Sequence, residues 1–77
     1  NRIAMNPPFS EGRWRAHLER AASLLAPGGR LVAVLPESAR GSVELPGCSL
    51  AWSGVHSNQF KGASVSVVIL TAHREVA

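Results

Sequence analysis

The sequence has a single cysteine, Cys48, and that scarcity excludes two structural classes at once. One thiol closes no intrachain disulfide and completes no structural zinc site. The three histidines, His17, His56 and His73, are scattered, and no pair has metal-ligand spacing, so no metal centre is expected. Long apolar runs are also missing. Leu31 to Leu35 and Val67 to Leu70 fall far short of the roughly 20 residues of a bilayer-spanning helix. Nothing resembles a signal peptide, so the expected location is the cytoplasm, with no membrane partner. Repeats, low-complexity tracts and a second domain are absent as well. Acidic residues are few, five against eight Lys and Arg, for a net charge of +3. A balance this mildly basic is compatible with nucleic acid without requiring it.

What is present is 77 residues with an ordinary 45% hydrophobic content. That length holds one small domain whose core alone is marginal. The chain begins at Asn1 without an initiator Met, and its first residues already have the pattern of a strand entering a site. It is therefore read as a piece of a longer protein, with a neighbouring segment outside it.

Residues 2 to 5 form a short, mostly apolar run that stops at Asn6-Pro7-Pro8-Phe9. Two prolines do not fit inside a sheet, and each biases the preceding residue to extended geometry, so a strand ends here in a stiff loop. Ser10 is expected to cap a helix, with Glu11 in its first turn. Trp14, Leu18, Ala21, Ala22 and Leu25 then recur on one helical face, and Pro27-Gly28-Gly29 ends the helix. Leu31 to Leu35 is continuously apolar, the pattern of a parallel strand covered on both faces. Pro36 to Gly47 is loop with room for a short helix. Leu50 to His56 is a weak strand, Ser57 to Gly62 a turn region, and Ser64 to Thr71 a strong strand rich in β-branched residues. The last two strands are close enough to form an antiparallel hairpin.

The informative constellation is Asn6-Pro7-Pro8-Phe9 directly after a strand. The Asn6 side-chain oxygen and the Pro7 carbonyl can both accept from one NH2 group, orienting it and directing its lone pair toward an electrophile. The prolines stiffen the loop, so little entropy is lost on binding. Phe9 offers a flat face for a planar base, worth roughly 1–3 kcal/mol per base in single-strand binders. No strong general base is needed, because the amine proton can leave after attack. The competing interpretation is a plain turn with a core-packed ring. The position of the motif between an apolar strand and a helix favours a site, because open α/β sheets bind ligands at the carboxyl ends of their strands.

Three motifs carry a resemblance that covers nearly the whole chain. Asn6-Pro7-Pro8-Phe9 is similar to the (Asp/Asn/Ser)-Pro-Pro-(Tyr/Phe) motif of amino-methyltransferases that use S-adenosylmethionine. Leu25-Ala26-Pro27-Gly28-Gly29-Arg30-Leu31-Val32 resembles the entry to the fifth strand of class I methyltransferases. Phe60-Lys61-Gly62-Ala63-Ser64-Val65 resembles the end of DNA adenine methyltransferases. The resemblance implies an α/β fold, the C-terminal half of a Rossmann-like sheet ordered 3-2-1-4-5-7-6. This chain would supply strands 4-5-7-6, with strand 7 antiparallel. It implies that Asn6, Pro7, Pro8 and Phe9 form the catalytic loop, with Asn6 also part of the cofactor pocket wall. Phe9 would stack on a base flipped out of duplex DNA. The family's glycine-rich cofactor loop and its acidic ribose-binding residue are missing, since Gly28-Gly29 precedes a strand rather than following one. The chain alone is thus not expected to bind the cofactor well or to catalyse unaided.

Arg13 and Arg15 near the helix start, and Lys61 in the turn before the last strand, are candidate phosphate contacts if the substrate is nucleic acid. The plainer interpretation of the arginines is a solvated face. Trp14 is expected in the core, Trp52 is ambiguous between core and surface, and Cys48 is expected to be a packed or surface thiol without a catalytic part. The expected activity is methylation of adenine N6 in DNA. Alternatives are guanine N2 in RNA, cytosine N4 in DNA or a protein glutamine amide, since all present a planar nitrogen. A non-catalytic binding or assembly module is a further alternative, as is a structural α/β domain with a chance Pro-Pro-Phe. The strand holding Ile3 is expected to expose an edge, so self-association, or pairing with a missing N-terminal half, is expected.

Overall fold

The computed structural model describes residues 1–60 and 63–76. Five strands and one α-helix follow in the order β1 (Arg2–Met5), α1 (Arg13–Ser23), β2 (Arg30–Pro36), β3 (Cys48–Trp52), β4 (His56–Phe60) and β5 (Ala63–Arg74). Short 3-10 turns lie at Ser10–Gly12 and Glu37–Ala39. The strands make one mixed sheet in the order β1-β2-β5-β3, with β4 also on β5. β1 and β2 are parallel, while β5 is antiparallel to β2, β3 and β4. β1, β2 and β3 therefore run one way and β5 runs against them. Val67 of β5 pairs with Pro36 of β2 on one edge and His56 of β4 on the other, so β3 and β4 share the second edge.

The core lies between α1 and one face of this sheet. Trp14, Leu18 and Ala22 repeat every four residues and are buried, with Leu25 just beyond the helix. They meet Leu31, Ala33 and Leu35 of β2 and Val68, Leu70 and Ala72 of β5, all fully buried. In-register pairs such as Ala33 with Leu70 point to the same side, so register and burial agree. Each large side chain buried here contributes roughly 1.5–3 kcal/mol.

Among the described residues the other face carries no helix, whereas the continuous apolar run Leu31 to Leu35 has the pattern of a strand covered on both sides. Arg30 and Val32 of β2 are exposed, as are Arg2 and Ala4 of β1 and Ala51 of β3. The only α-helix among the described residues lies on the opposite side of the sheet. A uniformly apolar run records that both faces suit burial, not that both are covered.

The helix begins later than expected. Ser10 and Glu11 belong to the 3-10 turn, and α1 starts at Arg13 behind Gly12, with no side-chain cap. Glu11 (φ 59°) and Gly12 (φ 69°) are both left-handed, which interrupts any continuous α-helix from Ser10. The end is earlier too, at Ser23. Pro27-Gly28-Gly29 does not end the helix but makes the tight turn into β2. Gly29 N–H donates to the Ala26 carbonyl at 2.8 Å, with Gly28 at φ 81° in the third position, as a type II turn requires. A Cβ on Gly29 would sit 2.8 Å from the Ala26 carbonyl oxygen and against Asn1, so no larger residue fits without movement.

The expected turn over Ser57 to Gly62 is also corrected. His56–Phe60 is a strand, and Phe60 pairs with Ala63 across residues 61–62, which lie outside the described residues. Its polar sequence has no apolar alternation to announce a strand. The weak strand expected over Leu50 to His56 is corrected to Cys48–Trp52, with His56 already in β4. β3 pairs antiparallel with β5, Cys48–Trp52 against Arg74–Leu70, but β4 lies between them in sequence, so the expected hairpin of the two is not formed and β4 is the strand next to β5 in the chain. None of the described helices is long and apolar enough to cross a membrane.

Candidate functional site

Asn6 to Phe9 leaves the sheet at the carboxyl end of β1. Met5 is the last residue of β1 in register, opposite Ala33, and β2 continues to Pro36 alongside the emerging loop. The carboxyl ends of β2 and β3 open on the same side, as does the start of β5, because it runs antiparallel.

Burial divides the loop's residues by task. Pro7 is buried and anchors the loop, whereas Asn6 and Pro8 are exposed. Phe9 is half-buried against the core cluster, so part of its ring is used for packing and part remains available. Its carbonyl accepts from Gly12 N–H at 3.3 Å, which fixes the start of the 3-10 turn. Among the described residues, neither the Asn6 side chain nor the Pro7 carbonyl has a hydrogen-bond partner within the protein. Two acceptors on a proline-stiffened loop are thus left for a ligand donor.

The supporting residues divide similarly. Arg13 is exposed and lies 3.7 Å from the Glu11 carboxylate, a surface pair of little energetic weight. Arg15 is committed elsewhere. Its guanidinium stacks 4.7 Å from the Trp14 ring centroid and donates to the Ser42 carbonyl at 3.0 Å and the Ser42 hydroxyl at 3.2 Å. It ties the loop before β3 to α1 rather than waiting for phosphate. Lys61 lies outside the described residues. Trp14 is in the core, and Trp52 is half-buried against it. Cys48 is a half-buried free thiol packed on the core. His17 is exposed and His73 half-buried on different elements, and no cluster of metal-binding side chains occurs among the described residues.

Arg74 is a structural residue that sequence patterning does not signal. Its guanidinium donates to the Ala22 carbonyl at 2.7 Å, near the end of α1, where a helix leaves acceptors unpaired. Its Nε is buried without a partner. A cavity of about 250 Å³ beside it is lined by Ala22, Ser23, Glu44, Leu45 and others, at the end of the sheet away from Asn6. A second, of about 340 Å³, lies on the open face along β1 and β2. Neither is lined by the Asn6–Phe9 loop. The chain matches no known family model, no curated protein sequence and no solved structure.

Proposed function

We propose that this chain is the catalytic-loop half of an S-adenosylmethionine-dependent methyltransferase acting on an exocyclic amine, foremost N6 of adenine in DNA. One observation carries the proposal. Asn6-Pro7-Pro8-Phe9 leaves the carboxyl end of a strand in a sheet ordered β1-β2-β5-β3 with β5 antiparallel. That is the arrangement 4-5-7-6 that the resemblance to class I methyltransferases implies.

In this reading the cofactor supplies an electrophilic methyl group, and the chain positions the amine. Asn6 Oδ1 and the Pro7 carbonyl accept its two N–H bonds, which turns the nitrogen lone pair outward. Buried Pro7 holds those acceptors still. The exposed part of the Phe9 ring stacks on the planar base. The residues present fit one wall of a cofactor pocket, through exposed Asn6, and no more than one wall, because these 77 residues hold no glycine-rich loop after a strand and no ribose-binding acid of the family's kind. The open edge of β1 is where the sheet would continue. A non-catalytic module of the same fold is the second reading, favoured by the packing of half-buried Phe9 against the core.

The test is to express the chain within its parent polypeptide, digest host DNA and RNA separately to nucleosides, and identify new methylated bases by mass spectrometry. New N6-methyladenine in DNA, lost in Asn6→Ala, is the expected result. Methylated bases in RNA alone would move the substrate to guanine N2 or a relative. None in either would favour a protein amide or the non-catalytic module. Asn6 is exposed and unpartnered, so Asn6→Ala should change stability by less than about 0.5 kcal/mol, which separates lost activity from lost fold.

A further inference from the structure

We infer that the cleft at the end of α1 binds a free α-amino acid with an apolar side chain, its carboxylate on Arg74 and its ammonium on Glu19 and Glu44. The inference stands apart from the methyl-transfer reading. The Arg74 carbonyl accepts from Gly28 N–H at 2.9 Å, beside the amino end of β2, whereas Asn6 follows the carboxyl end of β1. Three separated parts of the chain build the cleft. The last turns of α1 supply Glu19 and Ala22, the segment entering β3 supplies Glu44, Leu45 and Pro46, and the end of β5 supplies Arg74. None of its lining residues belongs to β1, so the open edge of that strand has no part in it.

Arg74 is the group that lacks a partner. Its Nη2 donates to the Ala22 carbonyl at 2.7 Å. Its Nη1 lies against Gly47, where a Cβ would come within 3.0 Å of it. The planar head is held from both sides, and its Nε–H is left buried with no acceptor among the described residues. A buried donor without a partner is destabilising, and native proteins leave few of them. A carboxylate entering from the cleft would complete it with a charge-assisted bond.

The rest of the cleft rejects a simple anion. Glu19 and Glu44 both line it, and neither carboxylate has an ion pair among the described residues. The end of α1 at Ala22 and Ser23 lines it too, and a helix C-terminus favours positive charge. One donor lacking an acceptor and two carboxylates lacking a cation together match a ligand that carries both charges. Buried Ala22 and Leu45, with Pro46, give an apolar wall for a hydrocarbon side chain. The volume is about 250 Å³, below the roughly 300–1,000 Å³ of sites for drug-sized ligands, which suits a molecule the size of leucine.

Other occupants fit less well. A plain amine would leave the Nε–H unpaired. A phosphate or a nucleic-acid strand would meet two carboxylates. A single water would satisfy the Nε–H and leave both carboxylates and the apolar wall without a partner.

The experiment is an NMR titration of the isotopically labelled chain with leucine, leucinamide and N-acetylleucine. Leucine should shift the Arg74 Nε–H and Leu45 methyl signals saturably. Leucinamide lacks the carboxylate and N-acetylleucine lacks the ammonium, and each should bind at least about tenfold more weakly. Glu44→Gln should weaken leucine binding by a similar factor, and because Glu44 is exposed that variant should keep its fold. Arg74→Met should abolish binding. If Arg74→Met does not fold, Glu44→Gln and the two analogues decide the matter. Equal binding by either analogue, no saturable shift with leucine, or leucine binding unaltered by Glu44→Gln would overturn the inference. So would an Arg74 Nε–H signal that reports contact with a bound water and does not respond to leucine.

Discussion

The two faces of this sheet are built from alternate residues of the same strands, yet they obey different physics. On the helix side, Leu31, Ala33, Leu35, Val68, Leu70 and Ala72 have no solvent exposure. On the other, Val32 retains 37% and is flanked by charge. The two sides of β2 are similarly apolar in its middle and differ only in what covers them. Hydrophobicity along a strand therefore says what a face can bury, while the available helices decide what it does bury.

Neighbouring substitutions on opposite faces should expose that contrast most strongly. Leu70→Ala should destabilise the chain by about 2–5 kcal/mol, enough to unfold much of it at equilibrium, whereas Thr71→Ala one residue on, half-buried on the other face, should cost about 1 kcal/mol or less. Urea denaturation followed by tryptophan fluorescence compares the two, and equal losses would mean the open face is not open. Next in size is Gly29→Ala. The added methyl must displace the Ala26 carbonyl or Asn1, at a cost of about 1–3 kcal/mol. Because this turn sets the register that sends Leu31 inward and Val32 outward, any folded remainder should show altered amide contacts between β1 and β2 by NMR. A gain is expected from Glu11→Gly, which frees a left-handed position from a side chain and should add up to about 1 kcal/mol; a loss would show that the Glu11 carboxylate matters through Arg13. Val32→Ser should cost about 1 kcal/mol or less, because a residue 37% exposed on an interior strand loses part of its packing and its β-branched fit.

Much of the architecture could be read from residue order. β1, β2 and β5 declare themselves through short apolar or β-branched runs, and α1 through Trp14, Leu18 and Ala22. Its start could not be placed, because Ser10-Glu11 has the composition of a helix beginning while the backbone at Glu11 and Gly12 turns left-handed first. β4 was invisible for the opposite reason. His-Ser-Asn-Gln carries no pattern, and its backbone pairs with the edge of β5, which a strand leaves with unpaired N–H and C=O groups. At the candidate site, the position of Asn6–Phe9 at a strand's carboxyl end followed from the prolines. The commitment of Arg15 to Ser42 depends on a contact across 27 residues, and local patterning holds no trace of it.

The segment around Gly28 to Arg30 has a topological consequence. Asn1 accepts from Arg30 N–H through its backbone and from Ala26 N–H through its side chain, while Arg74 exchanges backbone bonds with Gly28 and Gly29. Residues 1 and 74 thus meet on the same turn. A disturbance of this turn therefore reaches the entry of β1 and the exit of β5 together, and the two should loosen as one unit in amide hydrogen exchange.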